Sequence, residues 1–327
     1  MSILKLKFFR LFFMGLMGLS LIAGCKNDKD KSEEEVMEET AEADKKSSSN
    51  SGVFTITTKS MEFSIPKDTL LSGWNTIRYK NNSNMTHFVV FEKYPEGKGL
   101  EDAEDSLVPV FQNGMDLIIE DKMDAAMEEF GKMPEWFSQV VFSGGTGLVS
   151  PNTTTESTIK LEPGTYIIEC YIKMPGGRFH STEGMVEELY VKEEKSELKE
   201  PAADYTISIS GESGIEMDAT PSAGEHVFKV NYADQKQHEN FAGHDVHLVR
   251  VEPGSDLSVL SEWMVWTNPE GFMTPAPQGY KFVGGMQEMP GGNSGYFKAN
   301  LQPGNYVLIS EVPNQQEKDL LKEFEVK

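Results

Sequence analysis

Leu161-Glu162-Pro163-Gly164-Thr165-Tyr166 and Leu301-Gln302-Pro303-Gly304-Asn305-Tyr306 are one motif written twice. In each, Pro-Gly makes a turn, and the tyrosine falls where a Greek-key corner tyrosine sits. Further landmarks keep the same order in both halves. Gly144-Gly145 and Gly284-Gly285 each stand 19 residues ahead of the motif, counted from the second glycine to the glycine of Pro-Gly. Phe54-Thr55-Ile56-Thr57 precedes Gly73 by 19 residues, and Tyr205-Thr206-Ile207-Ser208 precedes Gly224 by 19. The run from His87 to Phe91 answers that from His247 to Val251, and Pro134-Glu135-Trp136-Phe137 answers Pro269-Glu270-Gly271-Phe272. Such order indicates a duplication. The charged stretch Glu193–Ala203 separates a first copy, 51–195, from a second, 203–327.

Each copy reads as β. Thr76–Tyr79, His87–Phe91, Ser157–Leu161, Tyr166–Ile172 and Met185–Val191 are short, β-branched or aromatic, and bounded by Gly, Pro and Asn turns. The expected class is all-β, two Greek-key sandwiches in tandem, the first with a helical insertion. Between its His and its Pro-Glu landmark the first copy has 25 residues more than the second. There, in Leu100–Phe130, Phe111, Met115, Ile118, Met123, Met127 and Phe130 recur at helical spacing. That stripe is expected to pack on the sandwich, or else to serve as a lid or partner-docking helix. The second copy has a loop of its own, Asp234–Gly243.

Composition limits what the pair can do. The chain has 327 residues, 30 Lys+Arg against 52 Asp+Glu, and a formal net charge of −22. A surface that acidic repels phosphate backbones, so nucleic acid is not an expected partner. Two cysteines cannot build a disulfide framework. Residues 1–24 carry Lys5, Lys7 and Arg10, then a short apolar run, then Leu21-Ile22-Ala23-Gly24 before Cys25. That is the pattern of a secretory signal. Residues 25–50 are rich in Lys, Glu, Asp and Ser and read as an acidic disordered tether.

The chemistry is concentrated on one loop. Cys170 ends a strand, and His180 and Met185 follow it in Tyr171-Ile172-Lys173-Met174-Pro175-Gly176-Gly177-Arg178-Phe179-His180-Ser181-Thr182-Glu183-Gly184-Met185. His87 opens an apolar strand far upstream and can supply a second imidazole. Two His, one Cys and a weak axial Met form the ligand set of a blue-copper site. Soft sulfur holds Cu(I) and imidazole also suits Cu(II), so one rigid frame serves both oxidation states.

On these residues the chain resembles the cupredoxin, or type 1 blue copper, family. The resemblance implies Greek-key sandwiches and a type 1 copper held by His87, Cys170, His180 and Met185. His180-Ser181-Thr182-Glu183-Gly184-Met185 is similar to the type 1 loop of two-domain copper nitrite reductases. Those enzymes set a His directly beside the cysteine to relay electrons to a catalytic copper. Here Glu169 and Tyr171 flank Cys170, so reductase activity is not expected. In the second copy Ser310 stands where Cys170 stands, and only His247 of the ligand set remains. His238, His244 and His247 form a weaker candidate for a metal site in that copy.

The N-terminus resembles the signal of bacterial lipoproteins, which implies acylation of Cys25 and a membrane anchor. The expected protein is thus a lipid-anchored cell-envelope cupredoxin-like protein, with copper in the first copy for electron transfer or copper handling. A redox or envelope protein would be its partner. The other reading is a metal-free sandwich pair serving the envelope as a binding or structural module.

Overall fold

The structure, a computed structural model, describes residues 52–327; the signal, the tether and Cys25 lie outside them. The first copy contributes β1 (Val53–Thr58), β2 (Phe63–Ser64), β3 (Thr69–Asn81), β4 (His87–Lys93), β5 (Val141–Val149), β6 (Thr153–Leu161), β7 (Gly164–Glu169) and β8 (Val186–Lys195). The second contributes β9 (Tyr205–Ser210), β10 (Gly214–Met217), β11 (Gly224–Tyr232), β12 (Val246–Val251), β13 (Tyr280–Met286), β14 (Ser294–Leu301), β15 (Gly304–Ile309) and β16 (Leu321–Val326). No helix among the described residues is long and apolar enough to cross a membrane.

The pairings repeat with the copies. One sheet of the first copy runs β2-β1-β3-β6, and its counterpart in the second runs β10-β9-β11-β14. The other sheets run β5-β4-β7-β8 and β13-β12-β15-β16. Strands with one solvated face alternate, as β1 does, between buried and half-buried positions. By contrast β4 is buried at six consecutive residues, His87–Glu92. Its Phe88 ring packs against Tyr171 on one side and reaches Phe272 of the second copy.

The copies join through equivalent strands. β6 pairs antiparallel with β14, with Ser157 opposite Phe297, and β5 meets β13 at Val149 and Val283. Pairing of like strands in opposite directions gives the two sandwiches an approximate two-fold relation. The double glycines sit at this junction. A Cβ on Gly147 would lie 2.6 Å from the Gly284 carbonyl oxygen, so only glycine lets the backbones approach.

The insertion spans Leu100–Phe130 as three helices, α1 (Leu100–Ser106), α2 (Val108–Ile119) and α3 (Met123–Phe130). Its stripe packs only in part. Met115, Ile118 and Phe130 are buried, but Met123 and Met127 are 53% and 60% exposed. A break at Glu120–Lys122 resets the helical phase, so one period does not run through all six positions. Phe111 and Phe130 pack on Phe241 and Trp266, so the insertion leans on the second copy. A helix absent from the expectation, α4 (Leu257–Trp263), lies in the second copy, its N-terminus capped by Asp256 accepting from the Ser258 N–H.

Both corner tyrosines form the same closed pair of bonds. Tyr166 Oη donates to the Glu162 carbonyl at 2.9 Å and accepts from its N–H at 3.1 Å. Tyr306 does the same with Gln302, at 3.0 Å each way. Tyr166→Phe and Tyr306→Phe are each expected to lower the free energy of unfolding by about 1–2 kcal/mol. Denaturant unfolding at unchanged m checks this.

Candidate metal centre

His87, the first residue of β4, is wholly buried. Its Nε2 lies 2.9 Å from Ser83 Oγ, which in turn donates to Asn81 Oδ1 at 2.8 Å. Asn81 Nδ2 donates onward to the Val149 carbonyl at 2.9 Å. With its proton on Nε2 facing Ser83, the ring presents the bare lone pair of Nδ1 on its other side. Outer hydrogen bonding of this kind orients metal-binding histidines.

Cys170 follows the last residue of β7, and a tight hairpin brings the chain back to it. Lys173 bridges to Phe179, the Met174 N–H donates to the Arg178 carbonyl at 2.7 Å, and Gly176 and Gly177 turn the chain at φ +95° and +90°. A side chain resists two such residues in succession, so Pro175-Gly176-Gly177 is what makes a nine-residue separation compact. The hairpin delivers His180, and a short 3-10 turn over Ser181–Glu183 with Gly184 at φ +110° delivers Met185. The Met185 N–H donates to the His180 carbonyl at 2.9 Å, and the Cys170 N–H donates to the Met185 carbonyl at 3.1 Å.

Three donors converge. Cys170 Sγ lies 3.8 Å from His87 Nδ1 and 3.7 Å from His180 Nδ1, and the two nitrogens are 3.1 Å apart. A point equidistant from these atoms lies about 2.1 Å from each, close to first-row metal–nitrogen and metal–sulfur bond lengths of about 2.0–2.3 Å. The donor set therefore fits one ion of that size. Met185 is fully buried and tied through its backbone to both loop ligands.

The surroundings keep the donors dry. Burial holds His87 down to about 4 and His180 to about 3, with His87 adding to the effect on His180. Burial pushes the Cys170 thiol up to about 12, while backbone hydrogen bonds from Phe88 and Ile172 pull it back toward thiolate. Without an ion the site is a neutral thiol between neutral imidazoles. A cation supplies the charge that lets the thiolate form.

Three features near the site had no sequence signal. Gln112 of α2 accepts from the Phe179 N–H at 3.0 Å and from Thr182 Oγ1 at 3.2 Å, clamping the loop on either side of His180. Buried Lys173 donates from Nζ to the carbonyls of Trp266 and Asn268, both at 2.7 Å, and burial lowers it to about 7. A 690 Å³ cavity also lies between insertion, ligand loop and second copy. Glu92, Glu169, Glu288 and Glu311 line it among aromatic rings. Burial raises all four carboxyls above their ordinary range.

The second-copy histidines separate. His247 joins Asp245 and Glu311, its Nε2 touching Asp245 Oδ2 and lying 3.2 Å from Glu311 Oε1. Its Nδ1 accepts the Leu148 N–H at 3.0 Å, so Nε2 carries the ring proton and no bare nitrogen faces the carboxylates. These three residues form a hydrogen-bonded acid–imidazole–acid group. His238 and His244 pair with each other instead.

Two sandwiches of identical strand order, the first gathering His, Cys and His where β4 meets the loop after β7, repeat one Greek-key plan. The described residues form a tandem pair of Greek-key β-sandwiches, the class expected from the sequence. No protein-family model matches the chain, and no curated protein does. Among solved structures it is similar to auracyanin A, a blue copper protein from Chloroflexus aurantiacus, at 24% identity over 43% of this chain and 98% of that one, with a TM-score of 0.26. Reduced auracyanin from Roseiflexus castenholzii is 19% identical over the same shares, also at 0.26. A copper-containing nitrite reductase from Thermus scotoductus is 13% identical over 84% of this chain and 61% of that one, at 0.21. Values this low do not carry a ligand set across, which rests here on the geometry above.

That geometry makes a pH prediction for the metal-free protein. In the unfolded chain each imidazole takes its proton near 6.5, whereas folded His87 and His180 resist to about 4 and 3. The unfolded state binds more protons across that window, so these residues stabilise the fold above 6.5 and lose that contribution as pH falls toward 3. Denaturant unfolding of the His87→Gln/His180→Gln variant is expected to show a shallower loss between pH 6.5 and 3 than the parent. An equal slope would contradict it.

Proposed function

We propose that the chain is a cell-envelope electron carrier with one type 1 copper in its first sandwich. His87, Cys170, His180 and Met185 would hold it, and lipid on Cys25 would be its membrane anchor. The observation that carries the copper reading is the triangle of Sγ and two Nδ1 atoms, buried and sized for one ion. Thiolate with imidazole is the donor mixture that serves both oxidation states of copper. Bound there, copper supplies one-electron chemistry.

The protein's own part is to hold the donors still. Ser83 fixes the His87 tautomer, Gln112 and Lys173 pin the loop, and Met185 is laced to His180 and Cys170. A frame that does not move between oxidation states needs little reorganisation. We read a carrier rather than a reductase from Glu169 and Tyr171, since neither residue flanking Cys170 offers an imidazole. Tyr171 Oη donates instead to Glu311 Oε2 at 2.9 Å. A redox protein of the envelope is the partner this reading implies.

Adding Cu(II) to the purified protein is expected to produce an intense thiolate-to-copper band in the visible. Cys170→Ser abolishes that band, and Met185→Leu keeps it while shifting the midpoint potential, because the axial position tunes the couple. Parent protein that stays colourless after copper is added would overturn the proposal and favour a metal-free envelope module.

A further inference from the structure

The loop that only the second copy possesses, Asp234–Gly243, brings His238 against His244, the residue just after it. Their Nε2 atoms lie 2.9 Å apart, with ring centroids 4.9 Å apart and planes inclined by 49°. The pair His87–His180 shows nearly the same arrangement, at 4.9 Å and 52°. Two imidazoles have thus been brought nitrogen to nitrogen at a tilt twice among the described residues, at unrelated places in the chain.

Tautomers decide what such a pair can do. The His244 side chain is fully buried, and its Nδ1 lies 3.4 Å from Asp234 Oδ1 and 3.5 Å from the Asp234 carbonyl oxygen. Both are acceptors, so the His244 proton belongs on Nδ1 and Nε2 presents a lone pair. Asp234 is itself held, its Oδ1 accepting the Gly211 N–H at 3.0 Å. A carboxylate behind an imidazole is the usual outer support of a metal-binding histidine. His238 meets its neighbour through Nε2 and can carry its proton on Nδ1. Gln235 fastens the loop, accepting the His244 N–H at 2.6 Å and donating to the His244 and Met289 carbonyls.

The pair opens on a 470 Å³ pocket lined by Glu212, Glu239, Glu317 and Asp319, with Lys236 and Lys318. Lys318 is paired with Glu239 at 2.7 Å. The surroundings therefore favour a cation, and water or a carboxylate can complete its coordination.

We propose that His238 and His244 form a second metal site, for a borderline divalent cation such as Cu(II) or Zn(II), held by both Nε2 atoms. Nitrogens 2.9 Å apart subtend about 90° at an ion bonded at about 2.0–2.1 Å, the angle between adjacent positions of a tetragonal Cu(II) site. The site has no thiolate, so copper there gives no thiolate-to-copper band. Asp234 is its positioning residue.

Cu(II) titration of the purified His87→Gln/Cys170→Ser/His180→Gln protein, followed by electron paramagnetic resonance, tests this separately from the type 1 centre. One equivalent is expected to bind with a tetragonal signal split by two nitrogens. His238→Gln or His244→Gln, added to that background, is expected to weaken binding by at least about tenfold, and Asp234→Asn by about ten- to a hundredfold. Circular dichroism confirms that each variant is folded. In the parent background His238→Gln and His244→Gln leave the visible band of the first site in place. A His87→Gln/Cys170→Ser/His180→Gln protein that takes up no Cu(II), or uptake indifferent to His238 and His244, would overturn the proposal and leave a hydrogen-bonded pair only. A parent protein that shows no visible band counts against the type 1 reading alone, whereas loss of the band on His238→Gln or His244→Gln overturns the separate second site.

Discussion

Two imidazole nitrogens held 3.1 Å apart in a dry interior, with a sulfur less than 4 Å from each, are the constraint on which this structure turns. The His87 Nδ1 lone pair faces His180 Nδ1, which either donates its ring proton to it or, with that proton on Nε2, joins it as a second metal donor. His87 and His180 resist charge because they are buried, and His87 further disfavours charge on His180. A metal that accepts two nitrogens and a thiolate is the occupant proposed for this triangle. The surrounding structure serves to make this arrangement tolerable without the ion and rigid with it.

Rigidity comes from three directions. Within the first copy, Asn81 and Ser83 carry the hydrogen-bond chain that sets His87. From the insertion, Gln112 grips the hairpin on both sides of His180. From the second copy, the Phe272 carbonyl accepts the Lys173 N–H at 2.7 Å, and the Lys173 ammonium is caged by carbonyls. The second copy lacks the cysteine, yet it forms part of the wall against which the ligand loop is built. The two sandwiches are joined besides along β5–β13 and β6–β14. The same fusion encloses the glutamate-lined cavity, bounded by both residues that flank Cys170.

Much of this was legible in the sequence because local rules govern it. The Leu-x-Pro-Gly-x-Tyr motif foretold both tyrosine corners, the 19-residue spacings followed strand lengths common to both copies, and apolar spacing bounded the insertion at Leu100 and Phe130. The ligand types also stood in order along one loop. Contacts across the two-fold were not legible, since no period or spacing encodes which face of one copy meets the other. Gln112, Lys173 and the buried glutamates owe their roles to that meeting. Tyr166–Ile172 reads as strand throughout, but β7 stops at Glu169, where Cys170 turns toward His87. The three second-copy histidines looked like one set; a hydrogen bond from the Leu148 backbone removes His247 from it.

The most direct test of the central claim is the structure of the copper-loaded protein at one equivalent, by crystallography together with X-ray absorption at the copper edge. The account predicts one ion bonded to Cys170 Sγ and to Nδ1 of His87 and His180, with a copper–sulfur distance of about 2.1–2.3 Å and two copper–nitrogen distances of about 2.0 Å. Copper with no sulfur neighbour, or lying away from these three residues, would contradict it.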